Sequence, residues 1–322
     1  MRLSLATIEA AALEVHAVMP PTPQFAWPLL AERLGLEVWL KHENHTPVGA
    51  FKIRGGQVYF NDLAKRAQVR TVLTATRGNH GQSVALAARR HGIEPIVVVP
   101  QGNGVEKNAA MRALGATLIE HGDDFQSARE HAAELAQVRG AHMVPSFHPL
   151  LVTGVATAAL ELFRGAPALD AVYVPIGLGS GICAMIAVRD ALSPRTRIVG
   201  VVSAHARAYA LSFASEAAIA SPVSTRLADG MACSTPQPEA LEIIRQGVDH
   251  IAEVSDDEVA EAMRMIFECT HNVAEGAGAA ALAAIAQARH RLAGQRVAAV
   301  LTGGNVDRSL FAQVLAGDAW AH

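Results

Sequence analysis

The chain has 322 residues, 51% of them hydrophobic and 18% charged, with a formal net charge of -3 at pH 7. That length accommodates a large core and, as a prior, two domains, while the near-neutral balance argues against nucleic acid or an anionic membrane surface as the main partner. Cys183, Cys233 and Cys269 are far apart and odd in number, which argues against a disulfide framework and fits a reducing cytoplasm.

The N-terminal stretch MRLSLATIEAAALEVH carries Glu9 and Glu14 within its apolar pattern. It predicts an amphipathic helix, not the unbroken apolar core of a signal peptide. No uncharged apolar run reaches membrane-spanning length. Short β-branched runs bounded by Gly or Pro follow at 37–43, 71–76, 95–100, 171–177, 197–202 and 297–304. Alanine-rich segments of helical period, such as GQSVALAARRHG and SGICAMIAVRDAL, lie between them. Apolar strands alternating with helices predict an α/β chain whose parallel sheets are covered on both faces. The cluster VPSFHPLLVTG at 144–154 is the predicted crossover between domains, since it holds Pro145, Pro149 and Gly154. Val259, Met263, Ile266 and Phe267 read as helix core.

Three turns and one lysine carry chemistry. Lys52, in TPVGAFKIRGGQ, is either a solvated side chain with an apolar stem or a chemically employed amine, and its neighbours alone do not decide. After the 71–76 strand come Arg77, Gly78, Asn79, His80, Gly81, Gln82 and Ser83, then a helix. Amides of such a turn can grip a carboxylate; a plain helix start would explain the glycine but not the clustering of Asn, His and Gln. Gly177, Gly179 and Gly181 join another strand to a helix, where backbone amides and the helix dipole favour an anion. A dinucleotide would want an acid at the end of the next strand, and RIVGVVSAH ends in Val202 and Ser203 without one. A phosphate without a ribose fits better. Thr302, in VLTGGNVD, ends a strand where its hydroxyl faces a site at the sheet's carboxyl edge. His42 and His45 with Glu43 lack a third ligand at metal-site spacing, so no metal site is expected there. Cys183 and Cys233 read as small buried residues, not nucleophiles.

GAFKIRGG, TRGNHGQS, VEKNAAMRALGA, HPLLVTGVATAALE, VPIGLGSGI, LADGMA, AEGAGAAALAAI and LTGGN occur in that order over nearly the whole chain. In this the sequence resembles the fold-type II pyridoxal-phosphate enzymes, nearest the threonine/serine dehydratase and serine racemase branch. The resemblance implies two domains, each an open twisted, mostly parallel sheet flanked by helices. Residues 1–49 and 150–322 would form a large cofactor-binding domain, and 50–149 a small domain carrying the lysine and the substrate-carboxylate loop. It also implies the short form without a C-terminal regulatory domain, and a cytoplasmic homodimer with a small amino-acid substrate and no nucleic-acid or membrane partner. By the same resemblance, Lys52 is the Schiff-base lysine and Cα proton carrier, Phe51 packs near the cofactor ring, and Asn79 meets the ring hydroxyl. Gly177, Leu178, Gly179, Ser180 and Gly181 would cradle the phosphate of pyridoxal 5'-phosphate, and Thr302 would meet the pyridine nitrogen. Gly230 would let the backbone pass the ring. Glu275 matches a family acid near the active site, with a helix-cap role as the alternative. Thr76, Arg77, Gly78, Asn79 and His80 would hold the substrate. The implied reaction is α,β-elimination, a dehydratase (ammonia-lyase) turning a 3-hydroxy amino acid, by default L-threonine or L-serine, into a 2-oxo acid and ammonia. A hydroxyl at Thr302 stabilises a pyridinium less than a carboxylate would, which suits prompt elimination over long-lived carbanion chemistry.

Four residues depart from the family pattern. Ala50 stands for a usual Ser, and Ser180 replaces a phosphate-loop glycine with a hydroxyl that can add a bond. Val202 stands where relatives place an acid of their divalent-cation site, so that site is expected to be missing. Arg77 replaces the serine that racemising relatives use as a second acid/base, and arginine cannot serve as a base near neutrality. Racemase activity is therefore expected to be absent or very weak. Arg77 either reaches an anionic or aromatic substrate side chain or turns outward to a structural acid or solvent. The alternatives are thus a dehydratase for a bulkier or charged 3-hydroxy amino acid (3-hydroxyaspartate, phenylserine, a hydroxylated diamino acid derivative) or an amino-acid racemase. A nicotinamide oxidoreductase is disfavoured by the missing acid and the unused Lys52, and a non-catalytic sensor by intact Lys52, Asn79 and Thr302.

Overall fold

The structure, a computed structural model, describes residues 3–66, 68–317 and 319–320; the first two residues of the predicted N-terminal helix lie outside the described residues. Six strands build one sheet: β1 (Gln24–Ala26), β2 (Glu37–His42), β7 (Ala171–Pro175), β8 (Arg197–Ser203), β9 (His250–Val254) and β10 (Arg296–Leu301). Their order is β1-β2-β10-β7-β8-β9, parallel except for β1. The remaining four, β3 (Thr71–Ala75), β4 (Glu94–Val99), β5 (Thr117–Glu120) and β6 (His142–Met143), form a parallel sheet ordered β5-β4-β3-β6.

The helices are α1 (Leu5–His16), α2 (Pro28–Leu34), α3 (Lys52–Arg66), α4 (Asn79–Arg90), α5 (Val105–Ala113), α6 (Phe125–Arg139), α7 (Pro149–Gly165), α8 (Ser180–Leu192), α9 (Ala208–Phe213), α10 (Pro238–Gly247), α11 (Asp256–Thr270), α12 (Gly276–Ala288) and α13 (Arg308–Ala316). Two apolar cores sandwich the six-stranded sheet, one against α11 and α12 and the other against α7 and α8. Both faces are thus covered, as parallel strands require.

Every apolar run read as a strand is one, to within two residues at either end except in the last, whose final three residues lie beyond β10. The four strands without such a run are β1, β5, β6 and β9, and each is a sheet edge. An edge strand packs against fewer neighbours, so its half-buried residues carry no continuous apolar signature. In the second half of the stretch 144–154, Pro149 opens α7 at its first position, where a missing N–H costs nothing, and Leu151 to Gly154 are buried helix. In α11, Val259, Met263 and Ile266 are core as expected, but Phe267 is 36% exposed. Among the described residues no helix is long and apolar enough to cross a membrane.

Candidate active site

In an open parallel sheet a crevice forms at the carboxyl edge where neighbouring strands send their chains in opposite directions. The six-stranded sheet has that point between β7 and β10; the other sheet has it between β3 and β6. The chain leaving β7 runs through Gly177–Gly181, that leaving β10 through Thr302, and that leaving β3 through Thr76–His80; Ser146 follows β6. All four segments line one cavity of about 180 Å³. Two switch points thus open on a common space.

Lys52 is the first residue of α3, and close backbone packing sets its place. A Cβ on Gly154 would lie 2.1 Å from the Arg54 carbonyl oxygen, and one on Gly55 2.6 Å from that of Leu151. Only glycines let α3 and α7 meet this closely. Arg54, two residues along, is completely buried; its guanidinium donates to Glu43 at 2.7 Å, Glu161 at 2.7 Å and Thr157 at 2.9 Å. On the other side Phe51 N donates to Thr302 O at 3.0 Å, and Ala50 bridges Gly303. Thr46 Oγ1 both accepts from Ala50 N and donates to Ala50 O, so the loop is bonded without the family's serine. The Lys52 ammonium lies 4.8 Å from the centroid of the Phe51 ring, and Nζ donates to Ser180 Oγ at 3.3 Å. Burial pulls this amine down to about 8, against the opposing pull of Glu275.

Two helices begin at the cavity behind an N-cap glycine, and Thr76 Oγ1 accepts from Gly81 N, in the first turn of α4, at 3.4 Å. The N-cap of α8 is Gly179, at φ 97°, and that of α4 is Gly78. The N–H groups of Ser180 and Gly181 in α8 and of Asn79 and His80 in α4, with the positive ends of the two dipoles, are left for ligands, which makes two adjacent anion sites. Leu178 and Ser180 line the same wall with the glycines, and the carbonyl of Leu178 is held by Tyr209 Oη at 3.0 Å. Gly230 passes so near that a Cβ on Gly177 would lie 2.4 Å from its carbonyl oxygen.

The Asn79 side chain donates through Nδ2 to Glu275 Oε1 at 2.7 Å. Glu275 is the N-cap residue of α12 but makes no capping bond; its carboxyl turns into the cavity instead, so the helix-cap alternative is set aside. Its Oε2 is buried without a partner among the described residues. Burial raises this carboxyl to about 7, with Lys107 opposing. His80 is likewise buried, its Nε2 unpartnered among the described residues, and burial beside Lys52 holds it near 3, a neutral imidazole.

Each sequence-read site residue, from Phe51 and Lys52 through Thr76–His80, Gly177–Gly181, Gly230 and Glu275 to Thr302, borders this one cavity. Arg77 is exposed at the cavity and forms no ion pair with any described residue. The sequence reading missed Lys107 and Asp229, which pair across the cleft, together with Phe125, Ser146 and Cys233 on the lining. Lys107 stands in VEKNAAMRALGA, but its partner is 122 residues away, a distance no local pattern spans. Cys183 and Cys233 are buried thiols pushed up to about 12 and 11 by desolvation, poor nucleophiles near neutrality. His42 accepts from Trp27 Nε1 at 2.9 Å and His45 pairs with Asn272, so the two imidazoles serve the wall of β2.

The profile of a family described as pyridoxal-phosphate dependent enzyme matches residues 17–303. A biosynthetic L-threonine dehydratase of Salmonella typhimurium is 33% identical over 297 residues, 91% of this chain and 58% of that protein. An L-threonine ammonia-lyase of Thermotoga maritima is 33% identical over 288 residues, covering 89% of this chain and 72% of that one. The chain therefore spans little more than half the length of the first of these relatives. Among solved structures, the processed threonine deaminase isoform 2 of Solanum lycopersicum superposes with a TM-score of 0.89 at 26% identity, covering 99% of this chain and 95% of that one. Maize serine racemase gives 0.89 at 26% identity, with 98% of each chain covered. By its sequence, its two open sheets and the lysine at their shared crevice, this chain belongs to the pyridoxal-phosphate dependent enzyme family, and pyridoxal phosphate is its cofactor.

Proposed function

We propose that the protein is a dehydratase (ammonia-lyase) converting a 3-hydroxy amino acid, by default L-threonine or L-serine, into a 2-oxo acid and ammonia. The observation that carries this reading is the Lys52 amine, with its lowered pKa, placed beside two helix N-termini whose N-cap residues are glycines. The residues fit the cofactor. The α8 terminus with Gly177–Gly181 suits a phosphate, Lys52 an aldehyde carbon, and the Phe51 ring a flat apolar face. Pyridoxal phosphate, when bound, supplies the electron sink for charge developing at Cα.

This chain's residues do the rest. The amides of Arg77, Asn79 and His80 at the α4 terminus hold the substrate carboxylate, fixing Cα against the lysine, while those of Thr76 and Gly78 are bonded within the turn and to β4. Lys52 Nζ, its amine brought closer to neutral pH by burial, takes the Cα proton. The β-hydroxyl departs as water with a proton, and hydrolysis of the remaining enamine yields the 2-oxo acid and ammonia. Thr302 offers a neutral hydroxyl to the ring nitrogen, which favours elimination. Arg77 supplies no second base, so racemisation is disfavoured.

A second reading concerns the side chain of the substrate. Arg77 has no carboxylate partner among the described residues, and Phe125 lines the same cavity. This favours an anionic β-substituent, as in 3-hydroxyaspartate, over a cationic one. The working form is read as a cytoplasmic homodimer, with residues 1–49 and 150–322 forming the large cofactor-binding domain and 50–149 the small one.

Borohydride reduction of the loaded protein should fix the cofactor on Lys52, as peptide mapping would show, while Lys52→Ala should take no label. A panel of L-threonine, L-serine, 3-hydroxyaspartate and phenylserine, assayed for 2-oxo acid and ammonia, should then give product with at least one. A labelled protein inert on the whole panel, or one converting L- to D-serine as fast as it forms pyruvate, would sink the assignment.

A further inference from the structure

We infer that Asn305 is a positioning residue that sets which way the Asn79 amide faces, and through it how Glu275 is held. The argument rests on the identities of donors and acceptors. Asn305 Nδ2 lies 2.8 Å from the backbone carbonyl of Val48. A carbonyl can only accept, so the end of Asn305 that faces it is the NH2 end. The second hydrogen of that NH2 goes to Asn79 Oδ1 at 2.8 Å. Asn79 must therefore present its oxygen to Asn305 and its own NH2 to the other side, where Nδ2 meets Glu275 Oε1 at 2.7 Å. One backbone carbonyl thus decides the orientation of two amides in series.

The surroundings leave room for this chain of bonds. A Cβ on Gly49, whose φ is 66°, would lie 2.6 Å from Asn305 Oδ1, so a side chain there would displace Asn305. Gly304 N donates to Gly49 O at 2.9 Å and Glu275 N donates to Gly303 O at 3.1 Å. The loop after β10 is thereby tied both to the segment that leads into Lys52 and to the start of α12. Asn79 lies on the cavity wall, so the remaining hydrogen of its Nδ2 is a donor available to an oxygen bound there. With the amide reversed, that wall would offer an acceptor instead. An oxygen of the cofactor ring requires the donor, and this step rests on the cofactor placement proposed above.

Asn305→Asp is nearly isosteric and reverses the logic. A carboxylate cannot donate to the Val48 carbonyl or to Asn79 Oδ1, so Asn79 turns its NH2 toward Asp and its oxygen toward Glu275. Apoproteins of the wild type, Asn305→Asp, Asn305→Ala, Asn79→Ala and the Asn79→Ala/Asn305→Asp double variant would be titrated with pyridoxal phosphate by fluorescence. Asn305→Asp should weaken binding by about tenfold or more, and Asn305→Ala by less. In the Asn79→Ala background the Asp substitution should change binding by under about twofold, because the residue it acts through is gone. A cofactor-free readout accompanies this. The side-chain amide pair of Asn79, identified in asparagine-labelled apoprotein by its loss in Asn79→Ala, should shift in Asn305→Asp or, if that variant does not fold, in Asn305→Ala. Equal weakening by Asp in both backgrounds, or an unmoved Asn79 amide, overturns the inference. Wild-type apoprotein that binds no pyridoxal phosphate overturns the proposed cofactor site, while the amide shift still decides the role of Asn305.

Discussion

At the scale of single residues, burial does most of the tuning. It lowers the Lys52 amine to about 8 and raises the Glu275 carboxyl to about 7, moving both toward neutral pH from opposite directions. Glu275 rises from an ordinary value of 4.5, so folding favours its protonated form. The stability this protonation confers is complete below the unfolded value and is lost as pH climbs through about 7. Glu275→Gln stays neutral throughout. Wild-type and variant apoproteins should melt alike below about pH 4.5, and the wild type should melt several degrees lower by about pH 8. A difference that does not change with pH would show that Glu275 is not held in this way. Lys52 itself was visible as a residue, but its lowered pKa was not. That depends on the burial imposed by the walls brought around it, which outweighs the opposing pull of Glu275.

At the scale of elements, the placement of α3 rests on a close backbone contact and a buried charge cluster. Arg54 and Lys41 face Glu43 and Glu161, with Lys41 Nζ 2.6 Å from Glu161. Burial alone would raise the Glu161 carboxyl, but bonding and attraction from Arg54 outweigh it and hold the group near 2. Removing the guanidinium would leave two buried carboxylates facing one ammonium. Arg54→Met should therefore cost about 3–5 kcal/mol in denaturant unfolding, although methionine fills much of the space. A loss below about 1 kcal/mol would mean that the cluster is hydrated and contributes little. The motif GAFKIRGG shows Arg54 and Gly55 side by side, yet nothing local says that the arginine turns inward. Its partner Glu161 lies 107 residues away on α7.

At the scale of the whole molecule, the helix carrying Lys107 is capped from outside its own sheet. The N-cap of α5 is Gly104, which has no side chain, and Asp307 supplies the missing acceptor to Val105 N at 3.0 Å and Glu106 N at 3.3 Å. Glu106 returns the contact by accepting from Arg308 N at 3.3 Å, at the start of α13. The two helix starts thus cap one another across the cleft, beside the Lys107–Asp229 pair. Asp307→Ala should raise the exchange rates of the first-turn α5 amides by about fivefold, since a lost cap costs roughly 1 kcal/mol. Unchanged exchange would show that α5 is held by its packing alone. By itself the sequence determined the central strands, the alternating architecture, the glycine turns and the family, because each is written in contiguous residues whose pattern follows from local geometry. Only the tertiary structure decided the edge strands, the inward turn of Glu275, the Arg54 cluster and the Asn305–Asn79–Glu275 series. Those depend on which groups meet after the sheets form, and in a low-dielectric interior the partner of a polar group, not its type, sets its energy and its role.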